Sequence, residues 1–574
     1  MTKPHLASFL TFSLLALFGI FLILYATPQG LGLSDDSIAY IAGARSILNG
    51  DGYREAWLAS NGPVTHFPPM FSSVLALVGL TSLDPLRGTR FVNSILFGAN
   101  IFLLGIIGWK MTKSKIAGIV LSILFLINAS MFRVHSVAMS EPLYIFFTLA
   151  SFVTFSYGVK QLAVSPAGDC SRTPYLILTA ILTAFAYLTR YAGLALLATY
   201  LVSLFIIHDT WKKRITSSLI FLAGFIPFAL GWSILNQLVA DNATNRTIVY
   251  HPITTENIQT AIYNISVFLM PIEEWRKVLI KIPNLFNTII YLVLFALLIW
   301  VITKGLKKFF KPNTEIPEVL SFVSTLYIFG YLASILSSMT WFDASTKFQL
   351  RILVPMLVSL LIMFVYFLKW LWNKQKILST FFFLLVFSLS MYGIANEVTQ
   401  LRKGGQGYAS FQWFDSEAMK FLQSLPEGTR IYSNEVAAVY LYSAFTLSKT
   451  SADPRLAFVA TIACSPRSTF SEPNGLSSTL LSASAFSSSH ARIWWRPGAN
   501  ATTVTSFELI HGFQAGIGGG AGVAAASWAR RSRWSGSITS AQSPRRATSR
   551  SSPAIVAAAI PSIDVAPRDL MNRS

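Results

Sequence analysis

Over the first 395 residues apolar side chains come in blocks of about 20, long enough as helices to cross roughly 30 Å of hydrocarbon. The blocks predict helices over 8–27, 88–109, 116–131, 141–158, 174–189, 191–208, 216–238, 285–303, 317–338, 351–369 and 377–395, eleven in all. A shorter apolar run at 67–83 suits a re-entrant or interfacial helix. The first block is too long, and Ala26-Thr27-Pro28 too poor a cleavage context, for a signal peptide, so it reads as an anchor. The expected fold is an α-helical polytopic membrane protein whose long first extracytoplasmic loop carries amphipathic helices.

The polar positions between the blocks alternate in sign. With the N-terminus cytoplasmic, the inner segments hold Lys3, Lys110, Lys113, Lys115, Lys160, Arg172, Lys212, Lys213, Arg214, Lys304, Lys307, Lys308, Lys311, Lys369, Lys374 and Lys376, against Asp169, Asp209, Glu315 and Glu318. Every second loop thus carries the excess of Lys and Arg expected on the cytoplasmic side, and one missed or invented helix would break the alternation. The other carboxylates of this region, Asp35, Asp36, Asp51, Glu55, Asp84 and Glu141 among them, fall on the opposite side. Chemistry is therefore expected at the extracytoplasmic face.

Composition narrows the class. Of 574 residues 53% are hydrophobic and only 12% charged, about half the usual share for a soluble protein, which excludes an ordinary cytosolic enzyme. The net charge of +20 is largely this loop asymmetry, so nucleic acid is not an expected partner. There is no P-loop and no Gly-rich turn after a strand pattern, and the inner loops are too short for a nucleotide-binding domain. An activated donor would then arrive through the membrane, as a lipid-linked phosphate. Cys170 and Cys464 allow one disulfide at most and no Cys-based metal site.

Several outer segments concentrate chemistry. Ser34-Asp35-Asp36 opens an apolar helix at the membrane surface, where two adjacent acids are unfavourable unless they face water, a metal or a cation. A carboxylate here could deprotonate a hydroxyl or hold a divalent ion; equally, Ser34 or Asp35 could serve only as the helix N-cap. His66 precedes Phe67-Pro68-Pro69 and another apolar helix. Arg133, His135 and Glu141 crowd a short connection in which Ser140, Glu141 and Pro142 also suit a helix start. Arg190, Lys347 and Arg351 lie at headgroup depth, where snorkelling is the ordinary role, but their convergence would make an anion site.

The order of these segments resembles glycosyltransferase superfamily C, the polyprenyl-phosphate-sugar-dependent membrane transferases that include protein mannosyltransferases and lipid A aminoarabinose transferases. The resemblance covers about 1–448. It rests on Asp36 with Tyr40 four residues later, His66-Phe67-Pro68-Pro69, Ser140-Glu141-Pro142-Leu143, Leu188-Thr189-Arg190-Tyr191 and Arg351-Ile352-Leu353-Val354-Pro355, with Glu427 to Glu435 similar to the start of the family's outer domain. It implies transfer of a sugar from a polyprenyl-phosphate donor to a lipid, protein or glycan acceptor, with inversion. Asp36 would be the general base and Asp35 its neighbour in the catalytic pair. Arg190, Lys347, Arg351 and His135 would neutralise the departing phosphate, and Tyr40 and His66 would line the acceptor loop. Asp35 or Glu141 would help hold a divalent metal ion. Some relatives have Asp-Glu where this chain has Asp35-Asp36-Ser37. The alternatives are a lipid-linked-glycan flippase or transporter, or an O-antigen ligase or polymerase type of enzyme.

After the membrane domain (1–395), residues 396–448 read as the opening of a small extracytoplasmic α/β unit, with an amphipathic stretch at 415–425, a strand at 429–432 and an apolar helix at 435–445. From 449 to 574 there is no further Lys after Lys449, 12 Arg stand against 5 acids, and Gly516 to Gly522 is almost all Gly and Ala. Such a low-complexity tail is expected to be disordered, and its abrupt onset suggests an altered reading frame, which resequencing tests.

Overall fold

The structure, a computed structural model, describes residues 3–58, 60–164, 173–240, 248–280, 283–311, 318–342, 348–424 and 435–447, with the pairs 494–495 and 505–506. Its helices are α1 (Lys3–Ala26), α2 (Asp35–Leu48), α3 (Met70–Gly79), α4 (Pro85–Thr112), α5 (Lys115–Leu126), α6 (Ala129–His135), α7 (Glu141–Val164), α8 (Thr173–Thr189), α9 (Gly193–Ile207) and α10 (Trp211–Ala240). There follow α11 (Thr255–Leu269), α12 (Glu273–Ile280), α13 (Pro283–Phe310), α14 (Val319–Trp341), α15 (Leu350–Lys374), α16 (Lys376–Gly404), α17 (Phe411–Phe414), α18 (Glu417–Ser424) and α19 (Val436–Leu447). The predicted strand at 429–432, Glu427 to Asn434 and nearly all of the tail lie outside the described residues, as do Asp343 and Lys347.

All eleven predicted apolar segments are helical, and the chain is a polytopic α-helical membrane protein. Eight of the helices, α1, α4, α7, α10, α13, α14, α15 and α16, are long and apolar enough to span. The predicted 116–131 span is the bent pair α5–α6, broken by 64°. The break has a local cause: Asn128 caps α6, its side chain accepting from the Met131 amide at 3.1 Å, which starts a new helix inside an apolar run. The two helices α8 and α9 have 17 and 15 residues, about 25 and 22 Å at 1.5 Å per residue, shorter than a full crossing. The predicted helix at 67–83 is α3, and α2 and α3 together make the helical first loop.

The spans form two sets. More than half of the apolar window is buried in α4, α7, α14 and α15, whereas α1, α10, α13 and α16 are under one-third buried and turn Leu17, Phe21, Leu292, Phe295 and Phe381 outward. The first set is the protein core and the second its hydrocarbon-facing rim. Small residues permit close approach, as at the α4–α5 crossing, where a Cβ on Gly118 would stand 2.5 Å from the Gly105 carbonyl oxygen.

The ion pairs test the loop assignment. Lys113–Glu318 (3.4 Å) and Lys308–Asp209 (2.9 Å) join residues of the basic loops. Arg45–Asp84, His66–Glu55, Arg133–Glu397, Arg190–Glu141, Lys277–Glu273 and Arg351–Asp36 join residues of the opposite set. Among the described residues no ion pair links the two sets, as expected if they lie at opposite ends of the bundle.

Candidate active site at the carboxylate end of the bundle

The site begins with a backbone crossing. Gly32 and Leu33 pair in parallel on one side with Val137 and on the other with Gly407. The Gly32 amide donates to Ser136 O (2.8 Å), Ala138 N to Gly32 O (2.9 Å) and Tyr408 N to Leu33 O (3.0 Å). Immediately afterwards the chain enters α2. Here Ser37 Oγ accepts from the Ser34 amide at 3.0 Å, a serine-based closure of the helix start. The two acids behind Ser34 are therefore free for other partners. Asp35 Oδ1 accepts from the Tyr408 hydroxyl at 2.7 Å, and Asp36 Oδ2 accepts from Arg351 Nη1 at 2.6 Å.

Arg351 stands on the first turn of α15 and is steadied by Gln349, whose Oε1 accepts from Nε at 3.0 Å. The side chains of Asp36 and Arg351 keep 31% and 30% of their surface exposed, so the pair faces an opening rather than the core. Asp36 Oδ1 has no hydrogen-bond partner among the described residues.

A second pair lies beside the first. Arg190, in the turn between α8 and α9, brings Nη1 to 2.7 Å from Glu141 Oε1 at the head of α7 and donates to Ser140 Oγ at 3.3 Å. Glu141 is 1% exposed. The contact is one of charge: although within ion-pair distance, neither of its oxygens accepts a hydrogen bond from a described residue. Burial, the largest single influence, works against the charge of Arg190, but Glu141 together with Tyr40, Tyr331 and Asp36 outweighs it and holds the guanidinium above its ordinary range. Tyr40 completes the group, its hydroxyl 3.1 Å from Ser140 Oγ. Burial pushes this phenol well up, so it keeps its hydrogen.

Thus the structure brings together Asp36, Asp35, Tyr40, Glu141, Arg190 and Arg351 from four parts of the chain. His66 lies farther out on the first loop, 3.4 Å from Glu55 and against Phe67, whose ring in turn packs on Tyr40. His135 is not part of the cluster. It is fully buried, packed on Phe97 and Phe125, with Nδ1 donating to Met131 O (2.7 Å) and Nε2 facing Asn100 Nδ2 (3.0 Å). Both ring nitrogens are thereby engaged, leaving none for a phosphate. Arg133 donates to the buried Glu397 of α16 at 2.7 Å.

Among the described residues the donor set does not make a divalent-cation site. Calcium and magnesium take six or more oxygens, several of them anionic, whereas Asp36 and Glu141 are each already matched by an arginine. Among the described residues no three His, Cys, Asp or Glu side chains gather into a group that could hold a metal. Sequence reasoning missed Tyr408 and Glu435. The available signal was Gly404-Gly405-Gln406-Gly407 at the end of the last span, glycines where one backbone must approach another closely.

Fold and site define a helical membrane protein with paired carboxylates and guanidiniums at one end of its bundle. No protein-family model and no curated protein matches the chain. Among solved structures it is similar to the Archaeoglobus fulgidus oligosaccharyltransferase tethered to an acceptor peptide containing the NVT sequon, with 12% identity and a TM-score of 0.48 over 83% of this chain and 61% of that one. It is also similar to AglB of that organism in complex with an inhibitory peptide and a dolichol-phosphate (13%, 0.45, 82% and 62%). A third similar structure is ArnT from Cupriavidus metallidurans bound to undecaprenyl phosphate (11%, 0.42, 77% and 85%). The chain spans about three-fifths of the length of the oligosaccharyltransferases it matches.

Proposed function

We propose that the chain is an integral membrane glycosyltransferase that moves a sugar from a polyprenyl-phosphate donor to an acceptor hydroxyl or amide at the extracytoplasmic face. The observation that carries this reading is the opening onto Asp36 flanked by Arg351 and, one residue group deeper, Arg190 with Glu141. Arg351 occupies one carboxylate oxygen of Asp36 and orients the other. That free oxygen takes the acceptor proton as the acceptor attacks the anomeric carbon. The bond from that carbon to the phosphate oxygen breaks, its electron pair leaves with the polyprenyl phosphate, and the configuration inverts. The phosphate gains negative charge as it departs, and preorganised guanidiniums act most strongly on charge that develops in the transition state. Arg190 and Arg351 supply them, and Tyr40 and Ser140 border the same space. In this reading the basic loops face the cytoplasm and the carboxylate end faces outward. Clustering of the ionisable groups at one end, rather than near mid-membrane, favours an enzyme over a transporter.

The test is transfer of radiolabelled sugar from a panel of polyprenyl-phosphate sugars in membranes containing the protein. Asp36→Asn should abolish transfer while the protein keeps its size-exclusion profile and unfolding temperature; full activity of that variant would remove Asp36 as the base.

A further inference from the structure

The segment that follows the last span is hydrogen-bonded, backbone to backbone, to the residue just before α2. We propose that Tyr408 is a positioning residue that sorts the adjacent acids, holding Asp35 so that Asp36 alone engages Arg351. This deepens the transferase reading and rests on it.

Three observations support the role. The first is backbone: Leu33 N donates to Gln406 O (3.3 Å), and Tyr408 N returns a bond to Leu33 O (3.0 Å), so the strand carrying Tyr408 is laid along the residue just before α2. Gly407 makes this possible. It has φ +58°, and a Cβ there would collide with the Leu33 carbonyl oxygen. The second is the side chain: the Tyr408 hydroxyl lies 2.7 Å from Asp35 Oδ1 and 2.9 Å from Glu435 Oε2, at the N-terminal end of α19. The third is its anchoring, since Tyr442 donates to the Tyr408 carbonyl (2.8 Å) and Trp413 meets the Tyr408 ring edge-on.

One hydroxyl hydrogen cannot serve two carboxylates at once. The arrangement closes when one carboxyl is protonated and donates to the phenol oxygen while the phenol donates to the other. The shorter contact, 2.7 Å, is to Asp35, so the phenol donates there and Glu435 Oε2, at 2.9 Å, stands on the phenol-oxygen side of the closure. Asp35 and Asp36 are neighbours on the first turn of α2, and among the described residues Arg351 is the guanidinium within ion-pair distance of Asp36. Without Tyr408 the Asp35 carboxylate is released to compete for Arg351, the group that also receives the donor phosphate.

The variant Tyr408→Phe keeps the ring and removes the hydroxyl. It should raise KM for the polyprenyl-phosphate sugar roughly tenfold or more, as expected for one lost hydrogen bond to a charged group, and speed hydrogen exchange at the Leu33 amide. Glu435→Gln, whose amide can still donate to the phenol oxygen, should retain the wild-type KM. Gly407→Ala should reproduce the KM rise by displacing the strand. Loss of kcat in Tyr408→Phe with donor KM unchanged would mark a merely structural residue and overturn the proposal, as would wild-type KM together with wild-type exchange. Should the wild-type protein transfer sugar from no donor in the panel, the transferase reading fails, and exchange at Leu33 alone then judges Tyr408: unchanged protection overturns its positioning role.

Discussion

Arg351 donates to Asp36 across 315 positions of sequence, at 2.6 Å, joining the first turn of α15 to the first turn of α2. The bond sets both the orientation of the carboxylate and the place of a cation beside it. Arg351→Lys keeps the charge but loses the planar fork that holds Asp36 and Gln349 together. Transfer kinetics of this variant should show kcat/KM reduced about ten- to a hundredfold, with the larger share in donor KM. Arg351→Gln should reduce it further, and an unaltered donor KM in both would separate Arg351 from the phosphate.

Glu141 and Arg190 should behave as a unit. Removing one partner of a buried pair leaves an uncompensated charge, at a cost of about 3–5 kcal/mol. Thermal unfolding in detergent should therefore show Glu141→Gln and Arg190→Gln each strongly destabilised. The double variant should lose much less than the sum of the two. Additive losses would mean the 2.7 Å contact contributes little.

His208, at the end of α9 on the basic side, links stability to pH. Burial, and next the nearby Lys213, lower it to about 4, and its Nε2 is buried without a hydrogen-bond partner among the described residues. The folded state thus prefers the neutral ring. The contribution is complete above the ordinary histidine value near pH 6.5 and is lost as pH falls towards 4, by up to about 3 kcal/mol. Unfolding temperature measured from pH 7 to pH 4 should fall in the wild type and fall less in His208→Gln. Equal slopes would show that the ring does not titrate in this window.

Sidedness can be read directly. In a background with Cys170 and Cys464 changed to serine, a membrane-impermeant maleimide applied to intact cells should label Asp51→Cys and spare Lys374→Cys, both at exposed positions. The reverse pattern would invert the topology and place the carboxylate cluster in the cytoplasm.

The helices were legible in sequence because hydrocarbon demands long apolar blocks, a property that a sliding average captures. The α5–α6 bend escaped for the same reason. A single Asn128 barely moves the mean over about 19 residues, yet its side chain restarts the helix. At the site, the alternation of basic loops brought Asp36, Glu141, Arg190 and Arg351 to one side of the membrane, but side is only one coordinate. Which arginine meets which acid depends on how the spans pack laterally, and nothing in the spacing of residues 36, 141, 190 and 351 encodes that. His135 illustrates the same limit. A histidine near a membrane surface resembles a ligand until its two nitrogens are found on Met131 and Asn100.

The pairing of Leu33 with Gly407 also orders events during biosynthesis. Leu33 leaves the ribosome early, whereas its strand partner follows the last span, so the crossing closes only after α16 is made. Until then Asp35 lacks Tyr408, although the acidic loop already has Val137 beside Gly32, Ser140 beside Tyr40 and Asp84 on Arg45. A nascent chain arrested before residue 404 would hold its spans in the bilayer with Asp36 opposite Arg351 but Asp35 without its phenol. Synthesis past Tyr408, rather than insertion of the first helices, is the step that gives Asp35 its partner.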